Sequence, residues 1–157
     1  MAIRRILEDG DPTLRKISRP VIAFNKRLWE LLDDMHETLK QANGAGLAGP
    51  QVGVLRQVAI VLDDDGSFFE IINPRILSAE GEQDDAEGCL SLPGVYGYVK
   101  RPMKITVEGK DRYGNRFVRD AEGFTARAFC HEIDHLSGCM FMDKVSRYLT
   151  KEELEQL

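Results

Sequence analysis

His131-Glu132-Ile133-Asp134-His135 fits the pattern His-Glu-x-x-His inside a run, about Phe124 to Ser137, that reads as a helix ending at Gly138. At about 3.6 residues per turn the two histidines stand one above the other on one face, with the glutamate carboxylate beside them. Such a face can hold one divalent ion next to a general base, the layout of a metal hydrolase. The competing reading is a surface helix with two histidines and ordinary acidic neighbours. The chain contains only three histidines, and two of them sit in this pattern. A third ligand elsewhere in the chain decides between the readings.

Outward from this helix, the chain reads as an α+β domain of antiparallel strands packed around the C-terminal helix, with a second helix near the N-terminus. That helix is expected from about Asn25 to Gln41. Leu28, Leu32, Met35 and Leu39 repeat at helical spacing, Asn25 is an N-cap, and Asn43-Gly44 is a stop signal. His36 falls off the apolar stripe and reads as a surface residue. Strands are expected at Arg56 to Leu62, Phe68 to Ile72, Pro74 to Ala79, Lys104 to Gly109 and Arg116 to Arg119. Ile3 to Ile22 reads as irregular, and Asp63-Asp64-Asp65-Gly66-Ser67 as a solvated turn. A calcium loop is rejected there, because Pro74 stands where the terminal glutamate belongs.

A length of 157 residues with 43% hydrophobic content fits one globular domain, 1–157. Apolar runs are strand-sized and the N-terminus has no signal-like stretch, so a cytoplasmic protein without membrane partners is expected. Three cysteines suggest reduced thiols or metal ligation. The net charge of -5 offers no basic footprint for DNA or RNA.

The third ligand has several candidates. A metzincin would place a histidine at position 141, which is Phe141. A thermolysin-like enzyme would use a downstream glutamate, and Glu155 lies at a suitable separation. A structural zinc site could combine Cys89, His131, His135 and Cys139, but it would leave Glu132 idle. The best candidate is Cys89 in Glu87-Gly88-Cys89-Leu90-Ser91, because a thiolate binds Zn(II) or Fe(II) strongly and the adjacent glycine allows close approach. A third segment, Gly44-Ala45-Gly46-Leu47-Ala48-Gly49-Pro50-Gln51, contains a formal G-x-G-x-x-G. It follows a helix and runs into Pro50, the reverse of a dinucleotide-binding context. It reads instead as a tight loop presenting Gln51 to a site.

Together the three segments resemble the peptide deformylase family, whose motifs are Gly-x-Gly-Leu-Ala-Ala-Pro-Gln, Glu-Gly-Cys-Leu-Ser and Gln-His-Glu-x-Asp-His. This chain departs from them at Gly49, in place of the second alanine, and at Cys130, which adds a thiol near the site. The resemblance runs from about Ile3 to Lys144. It implies that Cys89, His131 and His135 bind one divalent metal, Fe(II) in the cell, with Zn(II), Ni(II) or Co(II) able to substitute. It also implies Glu132 as general base, with the Gln51 side chain and the Leu90 backbone N–H as oxyanion donors. The implied reaction removes the formyl group from N-formylmethionyl nascent peptides at the ribosome. Some family members continue into a C-terminal helix associated with ribosome docking, whereas this chain ends in a short acidic stretch.

Helix geometry places Phe124, the Arg127 stem and Ala128 on the face of His131, as an apolar wall for an unbranched side chain. Gly46 joins them as a substrate-facing residue. Glu87 is expected to pair with Arg101 and to support the cysteine loop.

Overall fold

A computed structural model describes residues 2–157. The first helix, α1, spans Lys26–Ala42, and the Asn25 side chain caps it by accepting the Leu28 N–H. Asn43 ends it in a left-handed conformation, φ 54°, and donates its N–H to the last-turn carbonyls. The described residues form eight strands: β1 (Gly46–Ala48), β2 (Val58–Leu62), β3 (Phe68–Glu80), β4 (Gln83–Cys89), β5 (Leu92–Arg101), β6 (Lys104–Lys110), β7 (Arg116–Glu122) and β8 (Val145–Tyr148). Helix α2 spans Gly123–Leu136, and a short α3 covers Lys151–Glu155.

All strand pairs are antiparallel. One sheet has the order β1-β2-β3-β6-β7 and the other β4-β5-β8. The larger sheet is buried on both faces around β2, which explains why Val58 to Leu62 is continuously apolar. Val58 and Ile60 pack with Leu32, Met35 and Leu39 of α1. Ala59 and Val61, pointing the other way, pack with Ala126 and Phe129 of α2. Helix α2 is thus clamped with one side on the sheet.

The α+β class read from the sequence is the observed one, and three local expectations need correction. The run 68–80 is one strand, not two broken at Pro74. Pro74 lacks an N–H, and the β3–β6 register shifts between Ile72 and Arg75 to absorb this. Asn73, at φ 53°, supports the irregularity by bonding both the N–H and the carbonyl of Val21, at 2.8 and 2.9 Å. The glycine-rich segment is partly strand: β1 pairs with β2, Leu47 opposite Ile60, before a 3-10 turn over Gly49–Val52. The smaller sheet was not anticipated at all. Its β4 reads Gln83-Asp84-Asp85-Ala86-Glu87-Gly88-Cys89, with no apolar alternation to betray a strand. No helix among the described residues is long and apolar enough to cross a membrane.

Candidate active site

Three elements meet at one cleft of about 440 Å³. Strand β1 supplies Gly46, the end of β4 supplies Glu87, Gly88 and Cys89, and α2 supplies Phe124, Arg127, Ala128, His131 and Glu132. Gln51 and Leu90 also line it. His135 lies beneath, fully buried, and Phe124, more than half exposed, stands at the rim.

Cys89, His131 and His135 form a convergent donor set, their ligand atoms all within 4.8 Å of one another. The two Nε2 atoms are 3.2 Å apart, and Cys89 Sγ is 3.4 Å from His135 Nε2. Those separations match the edges of a tetrahedron of ligands around a Zn(II)-sized ion, about 3.3 Å for N to N and about 3.6 Å for N to S. A thiol and two imidazoles are also the donor chemistry that borderline divalent ions favour. The residues present therefore fit one metal ion. Neither Cys139 nor Glu155 belongs to this group.

The orientation of His131 follows from Glu87. Its Nδ1 lies 2.6 Å from Glu87 Oε2. Burial would raise the pKa of Glu87, but hydrogen bonds from His131 and Arg101 outweigh it and hold the carboxyl at about 2. An ionised carboxylate accepts only, so the proton sits on Nδ1 and the Nε2 lone pair faces the donor set. Glu87 is fully used: Arg101 grips it at 2.6 and 3.1 Å, and Arg127 Nη1 reaches Oε1 at 2.9 Å. Arg101 continues to Asp134 at 2.7 Å, which also takes Lys144 at 2.9 Å. The charged end of Arg127 and the role of Asp134 were missed from sequence. Nothing local signals that Arg127 turns its guanidinium to Glu87. Burial pushes the pKa of His135 down, keeping it neutral and able to ligate.

Glu132 is buried, with Oε2 4.0 Å from His131 Nε2 and Oε1 free of any hydrogen-bond partner. Burial raises its pKa to about 7. It fits beside β1 only because residue 46 is glycine: a Cβ there would lie 2.5 Å from Oε2. The orientation of the Gln51 amide is fixed too. Its Oε1 accepts the Ala48 N–H at 2.9 Å, which turns Nε2 toward Ser91 Oγ at 3.1 Å and Cys89 Sγ at 3.5 Å. Leu90 occupies the turn between β4 and β5. Cys130 faces away from the cleft into the core between α2 and the sheet, where burial pushes its thiol up to about 11. The added thiol is thus protonated and packed away.

An α+β scaffold whose cleft passes a Cys-His-His donor set and a buried carboxylate defines a metallohydrolase. A family model described as polypeptide deformylase matches residues 3–151. Peptide deformylase from Caldicellulosiruptor bescii is 53% identical over 99% of this chain and 93% of its own length. In the crystal structure of a peptide deformylase from Legionella pneumophila the identity is 40%, with a TM-score of 0.88 over 99% of this chain and 95% of that one. A Met-Ala-Ser-bound class I type b peptide deformylase from Acinetobacter baumannii is 30% identical, with a TM-score of 0.87 over 92% of this chain and 99% of that one. The chain belongs to the peptide deformylase family. It is a metal-dependent hydrolase that removes the formyl group from the N-terminal formyl-methionine of newly made polypeptides, releasing formate.

Proposed function

We propose that Cys89, His131 and His135 hold the metal ion of this deformylase and that Glu132, Gln51 and Leu90 carry the proton transfer and charge stabilisation. A divalent ion held there supplies Lewis acidity and a water of lowered pKa. Glu132 takes the proton of the attacking water on Oε2, the oxygen nearer His131. Its burial beside the donor set places it to accept a proton and then release it to the departing amine. Gln51 Nε2 and the Leu90 N–H donate to the negative charge that develops on the formyl oxygen, each contributing about 3 kcal/mol. Glu87, held by Arg101 and Arg127, keeps the His131 imidazole in one tautomer.

Sheet topology supports the substrate class. Among the described residues β1 and β4 are edge strands of different sheets, and both line the cleft. An extended peptide can hydrogen-bond to such free edges while its first side chain enters the slot beside Phe124, the Arg127 stem and Ala128. The Met-Ala-Ser ligand of the A. baumannii relative is a peptide of this kind.

By resemblance the cellular ion is Fe(II), and the donor set also accommodates Zn(II), Ni(II) or Co(II). Residues 1–157 act as one catalytic domain on formylated chains at the ribosome, in the cytoplasm. The observation that carries the assignment of roles is the convergence of one sulfur and two nitrogens next to a buried carboxylate. Glu132→Gln tests it: metal content by elemental analysis should stay at wild-type level while formate release from formyl-Met peptides falls at least about 10²-fold. Loss of metal together with activity would assign Glu132 a structural part instead.

A further inference from the structure

Ser91 closes the cysteine segment, yet it does not line the cleft. Its side chain, fully buried, accepts from Gln51 Nε2 at 3.1 Å, so it holds the end of the amide that Ala48 does not. The main chains of both residues are held from outside. Leu7 N–H donates to the Gln51 carbonyl and Asp9 N–H to the Ser91 carbonyl, each at 2.7 Å. Leu7 and Asp9 are two positions apart, so one short N-terminal strap fastens the Gln51 turn to the cysteine segment. Farther along, Ser18 N–H donates to the carbonyl of Leu136, next to His135, at 2.9 Å. The strap therefore touches all three segments that build the site.

We propose that Ser91 and the backbone amides of Leu7 and Asp9 are positioning groups that aim the Gln51 amide, so that the N-terminal strap sets the rate of deformylation without touching substrate. This rests on the oxyanion role given to Gln51. An oxyanion donor acts through being fixed before the charge develops, and the groups that fix it govern its worth.

The strap can be altered at one bond. Asp9 is the second residue of a turn closed by Asp11 N–H to the Glu8 carbonyl at 3.0 Å, with Gly10 third at φ 102°. Proline is favoured at that second position of the turn, but its ring carbon would meet the Ser91 carbonyl that the Asp9 N–H now reaches, so Asp9→Pro breaks this bond and pushes the strap off the cysteine segment at that point. Asp9→Ala, which keeps the N–H, is its reference.

The experiment measures kcat, KM, metal content and melting temperature of the metal-loaded enzyme for Gln51→Ala, Ser91→Ala and the two Asp9 variants. Ser91→Ala and Asp9→Pro are then repeated in the Gln51→Ala background. Gln51→Ala should lower kcat by about 10²-fold. Ser91→Ala should lower it about tenfold with KM within about twofold, and Asp9→Pro should fall about threefold below Asp9→Ala, with metal content unchanged. Without the Gln51 amide both effects should shrink below about twofold, because there is nothing left to aim. Full effects persisting in the Gln51→Ala background, or no effect in either background, overturn the proposal. Undiminished kcat in Gln51→Ala itself removes the oxyanion role, and the positioning proposal with it.

Discussion

Gly46 shows how one missing side chain admits a catalytic group. The Glu132 carboxylate occupies the space a Cβ would take, so Gly46→Ala must push Oε2 away from His131 or bend β1. Displacement of a reacting group by about 1 Å costs on the order of 10²-fold in rate, and kcat should fall by about that factor while metal content is retained. A kcat within about twofold of wild type would show that Glu132 can shift without consequence. Residues such as Cys89, His131 and His135 are legible in sequence because ligand chemistry is carried by residue type and short spacing. Ser91 and the Arg127 guanidinium are not legible, since what they do depends on partners 40 residues away in the chain. A still longer separation hid the link from Asp9 to Ser91.

Elements were legible where periodicity meets burial. Helix α1 shows this: one stripe, Leu28, Leu32, Met35 and Leu39, is buried against β2 and its neighbours, and both ends carry recognisable caps. Strand β4 is the opposite case. It is stabilised by pairing with β5 and by the buried Glu87–Arg101 pair, so its polar sequence carries no hydrophobic signature. Part of the site is therefore mounted on a strand that pattern reading passes over. The cap of α1 can be tested separately from the site. Asn25→Ala removes the acceptor of the Leu28 N–H and should cost about 1 kcal/mol in urea unfolding, with kcat unchanged. An unchanged unfolding midpoint would mean that another group satisfies that end of the helix.

At the scale of the whole molecule, charge joins the layers on the side of the sheet that α1 covers. Glu70 on β3 bonds His36 of α1 at 2.7 Å and Arg112, in the β6–β7 turn, at 2.5 and 2.9 Å; Arg112 also reaches Asp33 of α1 at 3.0 Å. Burial acts to raise the pKa of Glu70, but the hydrogen bonds from His36 and Arg112 win and lower it from 4.5 to about 2. A carboxyl depressed in the folded state contributes stability that is complete above its unfolded pKa and is lost as pH falls through the folded value. The window is therefore from 4.5 down to about 2. In urea unfolding, Glu70→Gln should be less stable than wild type near neutral pH, by about 1–2 kcal/mol once solvent screening is counted, and the gap should close as pH drops toward 2. Protonation of the metal ligands also weakens the protein in acid, but it is common to both proteins and cancels in their difference. A gap that stays constant with pH would show that Glu70 acts through packing and neutral hydrogen bonds, and that its charge does not hold α1 to the sheet.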